Sequence, residues 1–89
     1  MLIRGVIQSA ELRELGEDQV EMDVRVQGVG PGQPRRLVVP FGLLVADPTL
    51  EPDTIAGHGF EAVLDEPTPG RWIASEFRVM SRRVLRSET

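Results

Sequence analysis

The side chains best suited to chemistry in this 89-residue chain are arginines and one tryptophan. Arg35 and Arg36 are neighbours, and Arg71, Trp72, Arg78, Arg82, Arg83 and Arg86 fall within RWIASEFRVMSRRVLR, residues 71–86. A flat ring beside guanidinium groups is the combination that holds single-stranded nucleic acid, the ring stacking on a base while the cations answer phosphates. A side-chain period of two puts Trp72, Ala74, Glu76, Arg78, Met80 and Arg82 on one side of a strand, and Ile73, Ser75, Phe77, Val79 and Ser81 on the other. On that reading Trp72, Arg78 and Arg82 share the outer face, and Arg35 and Arg36 extend it if their strand lies alongside. The competing reading makes Trp72 a rim residue covering a hairpin and pairs Arg78 across the sheet with Glu21, Asp23 or Glu61.

Other chemistry has little to work with. The single His, His58, stands between Gly57 and Gly59, and nothing local brings Asp53 or Ser75 within hydrogen-bond reach of it. It reads as a polar turn residue, and no catalytic residue is expected. With no cysteine and no ligand spacing among one His and scattered carboxylates, neither a metal nor a cofactor is expected. Glu17-Asp18 and Asp65-Glu66 flank turns and read as solvated acids rather than an acid–base pair. Gly28-Val29-Gly30-Pro31-Gly32 lacks the capped helix a phosphate-cradling loop needs, and Pro31 removes one of the amides, so it reads as a connection.

The net charge of −4 is unevenly spread. Residues 47–66 hold six acids and no base, whereas residues 71–86 hold five arginines against Glu76. An acidic molecule is steered away from polyanions at long range, although a basic stripe still acts within a Debye length of about 8–10 Å. The charge balance therefore leans toward a protein partner or self-association over nucleic acid. No apolar run approaches the roughly twenty residues of a spanning helix, and the first ten residues have no signal-peptide pattern, so no membrane association and a cytoplasmic location are expected.

The elements that must position these groups are strands. VEMDVRVQ, residues 20–27, alternates without a break, with Val20, Met22, Val24 and Val26 facing in and Glu21, Asp23, Arg25 and Gln27 facing out. LIRGVIQ, residues 2–8, is apolar on both sides, with Gly5 marking a bend or bulge, and SAELREL continues it to a turn at Gly16-Glu17-Asp18. A third strand spans residues 35–41 and is shortened or set at an edge by Pro40. Leu43 to Ala46 either continues it or makes one buried turn. The connector around Pro48 and Pro52 has room for a single helical turn near Thr54–Ala56. The fourth strand opens at Gly59 with Phe60, Ala62 and Leu64 facing in, and 66–70 turn the chain into the closing strand. Phe41, Phe60 and Phe77 are expected in the core.

This order, a hairpin, a third strand, a proline-bearing connector and a second hairpin, resembles the OB-fold, a five-stranded Greek-key barrel. The resemblance rests on the bent first strand with Gly5, the clean second strand, the connector and the Gly that opens strand four. The expected fold is thus all-β, a small five-stranded OB-like Greek-key barrel with little or no helix. It forms a single domain over residues 1–86, with residues 87–89 frayed. The resemblance implies a ligand face on strands two and three, where Glu21 and Asp23 are unfavourable to nucleic acid. The expected function is a non-enzymatic binding or interaction module whose exposed strand edges take a protein partner or a second copy. The alternative is single-stranded DNA or RNA binding through Trp72, Arg35, Arg36, Arg78 and Arg82.

Overall fold

The computed structural model describes residues 1–80. β1 (Leu2–Gly16) and β2 (Gln19–Gln27) form a long hairpin, and β3 (Arg36–Val39) follows the glycine-rich connection. Two helical turns, α1 (Phe41–Ala46) and α2 (Pro52–Ile55), lie in the proline-bearing connector, and β4 (Gly59–Thr68) and β5 (Arg71–Val79) form the second hairpin. The strands close into a ring in the order β1-β2-β3-β5-β4, so the expected all-β, five-stranded barrel with little helix is what forms. Every neighbouring pair is antiparallel except β3 and β5, which meet in parallel at Val38 and Ile73. β1 makes closure possible by serving two partners: residues 2–6 pair with β4, and Val6 onward pairs with β2. No helix among the described residues is long and apolar enough to cross a membrane.

The interior is filled by the inward side of each strand: Ile3 and Ile7 from β1, Met22, Val24 and Val26 from β2, Leu37 and Val39 from β3, Phe60, Ala62 and Leu64 from β4 and Ala74 from β5. Leu50 and Ile55 reach in from the connector, so α2 is the single turn that covers one end of the barrel. Pro52 opens α2 at a position where its missing N–H is no loss. Phe60 is fully buried and stacks on Phe77 at a centroid separation of 5.7 Å. Truncating Phe60 to Ala is expected to destabilise the barrel by about 3–5 kcal/mol.

Turn chemistry matches the register. Glu17 and Asp18 bridge Gly16 and Gln19, with Asp18 in the left-handed region at φ 58°, a conformation Asp tolerates better than most residues. Pro69-Gly70 turns β4 into β5, with Gly70 at φ 82°, as a type II turn requires at its third residue.

Several details depart from what alternation predicts. The irregularities in β1 fall at Gln8, between the pairs Ile7–Val26 and Ser9–Arg25, and at Leu15, between Glu14–Val20 and Gly16–Gln19, and not at Gly5. Gly5 is instead a point of close approach: a Cβ there would sit 2.5 Å from the Gln27 carbonyl oxygen and 3.3 Å from the Phe60 ring. Another bulge falls at Ser75, since Val63 pairs with Glu76 and Leu64 with Ala74. One extra residue reverses the facing of everything beyond it. Trp72 and Ala74 therefore point inward on one side of Ser75, and Phe77 and Val79 point inward on the other. Phe41 does not join the core; it begins α1, half-buried, and α1 has no fully buried residue. β3 ends before Pro40, which shortens the strand, but β3 is an interior member of the ring and not an edge.

Closure removes most of the exposed edge expected of an open barrel. What remains lies on the β1–β2 hairpin, which outreaches the ring. Among the described residues, positions 9–16 of β1 pair with β2 alone.

Candidate binding face

The outer face of β2 and β3 gathers the largest set of charges. Glu21 and Asp23 do point outward from β2, as alternation requires, yet they are only 3% and 4% exposed. Arginines from three other strands cover them. Arg36, on β3, grips Asp23 with two nitrogens, its Nε lying 2.9 Å from Oδ1. Arg13, on β1, donates to Asp23 from the other side and lies 3.6 Å from Glu21. Arg71, opening β5, donates to Glu21 at 3.0 Å. Glu21 Oε2 is left without a hydrogen bond. The forked hydrogen bond from Arg36 is the main cause holding the Asp23 carboxyl below its ordinary pKa; burial opposes it, and the positive charges of Arg36 and Arg13 reinforce it. The same pairing raises the pKa of Arg36.

Further along the same face, Arg25 stands directly opposite Arg36 in the β2–β3 register. Arg25, Arg35 and Arg36 line a groove of about 620 Å³ together with Gln8, Gln27 and the backbone around Gly28. Arg36 is drawn toward Asp23, but among the described residues neither Arg25 nor Arg35 pairs with a carboxylate. Alternation marks Arg25 as outward, and only the β2–β3 register brings it against Arg36; that register was the signal needed to find it.

Of the five residues expected to form one nucleic-acid face, four are described, and they divide: Arg35, Arg36 and Trp72 lie toward the β2–β3 side and Arg78 lies on another. Arg35 and Arg36 line the groove. Trp72 packs half-buried against the core beyond the Ser75 bulge and also lines a cleft of about 320 Å³ with Arg13, Arg36 and Arg71. Arg78 lies beyond that bulge on the outer side of β5, opposite Glu61 of β4, to which it donates at 3.0 Å. Arg4 of β1 holds the same carboxylate, giving a row Arg4–Glu61–Arg78 across three strands. The hydrogen bonds from Arg78 and then Arg4 lower the Glu61 pKa. Arg82 lies outside the described residues, as do Arg83, Arg86 and the expected frayed end. Although β3 and β5 are neighbours, the arginines of the second hairpin divide between two faces.

His58 places Nδ1 2.9 Å from the Met80 carbonyl oxygen, an acceptor that requires Nδ1 to carry the proton. Neither Asp53 nor Ser75 bonds to it; Ser75 Oγ donates to the Val63 carbonyl. No group of three or more carboxylates or imidazoles able to hold a metal occurs among the described residues. No protein-family model, curated protein or solved structure matches the chain.

Proposed function

We propose that the protein is a non-enzymatic binding module of OB type that holds the phosphate backbone of single-stranded nucleic acid in the groove lined by Arg25, Arg35 and Arg36. The observation that carries this reading is the direct opposition of Arg25 and Arg36 across β2 and β3, with Arg35 beside them and no carboxylate answering Arg25 or Arg35 among the described residues. Like charges placed opposite each other on a sheet destabilise it. Folding gains nothing from placing Arg25 there, whereas a bound anion would take the forked donors of Arg25 and Arg35, with Arg36, whose Nε and Nη2 hold Asp23, adding its charge at the groove wall. The resemblance to OB-folds points to the same strands as the ligand face.

The groove itself has no aromatic side chain; Trp72 lines a neighbouring cleft with Arg13, Arg36 and Arg71, so phosphate contacts rather than stacking dominate the proposed mode. Recognition runs through phosphate, which carries no base sequence and depends strongly on salt. Titrating a fluorescein-labelled mixed-sequence single strand at increasing salt tests this. About three phosphate contacts predict a log–log slope near −2. Absence of binding at the lowest salt would remove the proposal.

A further inference from the structure

The geometry points to a second copy of this chain as the partner of the free β1 edge, joined by antiparallel pairing of residues 9–15 about a two-fold axis at Leu12. This inference is independent of the nucleic-acid reading. Val26 N–H donates to the Arg35 carbonyl across the β2–β3 boundary. Even positions of β2 therefore bond toward β3, and odd positions, among them Asp23 and Arg25, bond toward β1. Asp23 faces Glu11 and Arg25 faces Ser9, so Ser9 and Glu11 spend their backbone groups on β2. The intervening residues Ala10, Leu12 and Glu14 turn their N–H and C=O groups to the open side. Among the described residues nothing meets them there, because β4 accompanies β1 only through Val6 and the backbone of Gly57 and His58 engages Ile7. Such a row of unpaired donors and acceptors is a template for another strand.

The side chains on this edge are self-complementary. Antiparallel pairing centred on Leu12 sets Leu12 against its own copy, Glu11 against Arg13 of the second copy, and Arg13 against the second copy's Glu11. A symmetric interface requires this reciprocity. Leu12 is 52% exposed although Met22, its partner on β2, is fully buried. Glu11 faces like-charged Asp23 inside the monomer and belongs to no ion pair among the described residues. The second copy would bring its Arg13, which also holds Asp23, against Glu11 on one side of the sheet and cover Leu12 on the other. Because opposed residues of an antiparallel pair point to the same side, the two arginine grooves would lie on one face of a continuous sheet.

Sedimentation equilibrium of the full chain across a wide concentration range tests the pairing, with hydrogen exchange at Ala10, Leu12 and Glu14 as the local readout. The expected result is a concentration-dependent dimer in which those three amides become protected as the dimer forms. Glu11→Arg, which sets arginine against arginine at both symmetric positions, should weaken dimerisation by at least ~10-fold while leaving the thermal midpoint of the monomer unchanged or raised, since it also removes the clash with Asp23. The chain has no native cysteine, so Leu12→Cys should give a disulfide-linked dimer on mild oxidation, the paired Cα atoms lying about 5.5 Å apart. The exposed Val45→Cys on α1 should not. A monomer at every concentration with fast exchange at all three amides would overturn the inference. So would protection of those amides in a strict monomer, or a dimer indifferent to Glu11→Arg and Leu12→Cys.

Discussion

The two charged faces of the barrel use the same residue types and arrive at opposite balances. On the β1–β4–β5 side, Arg4 and Arg78 flank Glu61, whose side chain remains 20% exposed, and the row lies open to water. On the β2–β3 side, Glu21 and Asp23 lie beneath Arg13, Arg36 and Arg71, their side chains only 4% exposed, and two more arginines, Arg25 and Arg35, continue the positive surface beyond them. What separates the faces is burial. An exposed pair is screened and adds little to stability, whereas carboxylates withdrawn from water depend on the cations above them. The second face is therefore both a structural clamp and, at its far end, an excess of positive charge: Arg13 and Arg71 serve the clamp, Arg25 and Arg35 the excess, and Arg36 stands in both.

Between the two faces, the larger effect should come from removing part of the clamp. Arg13→Ala takes one cation from each of two buried carboxylates, leaving Arg36 on Asp23 and Arg71 on Glu21, and is expected to lower stability by about 1–2 kcal/mol. Glu61→Ala on the open face should move the melting midpoint by only a small fraction of that shift. Parallel thermal melts of the two variants measure the contrast, and equal shifts would erase the distinction between the faces.

Acid should expose the same asymmetry. The Asp23 carboxyl is held below its unfolded pKa, mainly by the hydrogen bond from Arg36. Its contribution is thus present above the unfolded value of about 3.9 and is lost as pH falls through the lower folded value. Stability of the native sequence should fall as pH drops below about 4, and Asp23→Asn should be less stable at neutral pH with a shallower loss in acid. Glu61→Gln should flatten the acid limb less, since its carboxylate is far more exposed. Denaturant melts from neutral to strongly acidic pH check the order.

The smallest effect should come from Arg25→Gln. It removes a like-charge opposition and breaks no ion pair among the described residues, so the melting midpoint should stay level or rise slightly. A clear fall would mean that Arg25 contributes to the fold, and the groove would lose its claim to be surplus charge.

Much of the architecture was legible in the residues. The unbroken alternation of β2, the Phe60-Ala62-Leu64 side of β4, and the placement of glycine and proline between strands specify elements and inward faces with local information alone. The bulges were not legible, because they arise where strands of different curvature must close a ring, and closure is a property of all five strands. The Ser75 bulge had the greatest consequence: by moving Trp72 and Arg78 to opposite sides it divided a site that strict alternation had assembled. The covering of Glu21 and Asp23 was hidden for a related reason. Alternation tells on which side of a sheet a residue lies, and it does not tell what lies above; the covering arginines come from β1, β3 and β5. The long connector, by contrast, left room for a short turn near Thr54, where α2 forms, while the choice between strand and turn at Leu43–Ala46 stayed open until α1 settled it; the length of β1 followed from the lack of any turn signal before Gly16.

The central claim is that anion binding belongs to the far end of the β2–β3 face and not to the arginines of the opposite face. Its most direct test is the affinity for a labelled single strand at low salt, measured side by side for the native sequence, the Arg25→Gln/Arg35→Gln pair and Arg78→Gln. The account predicts that the pair weakens binding by about tenfold and flattens the salt slope by about 1.4, while Arg78→Gln behaves as the native sequence does. Equal losses in both variants, or a loss confined to Arg78→Gln, would contradict it.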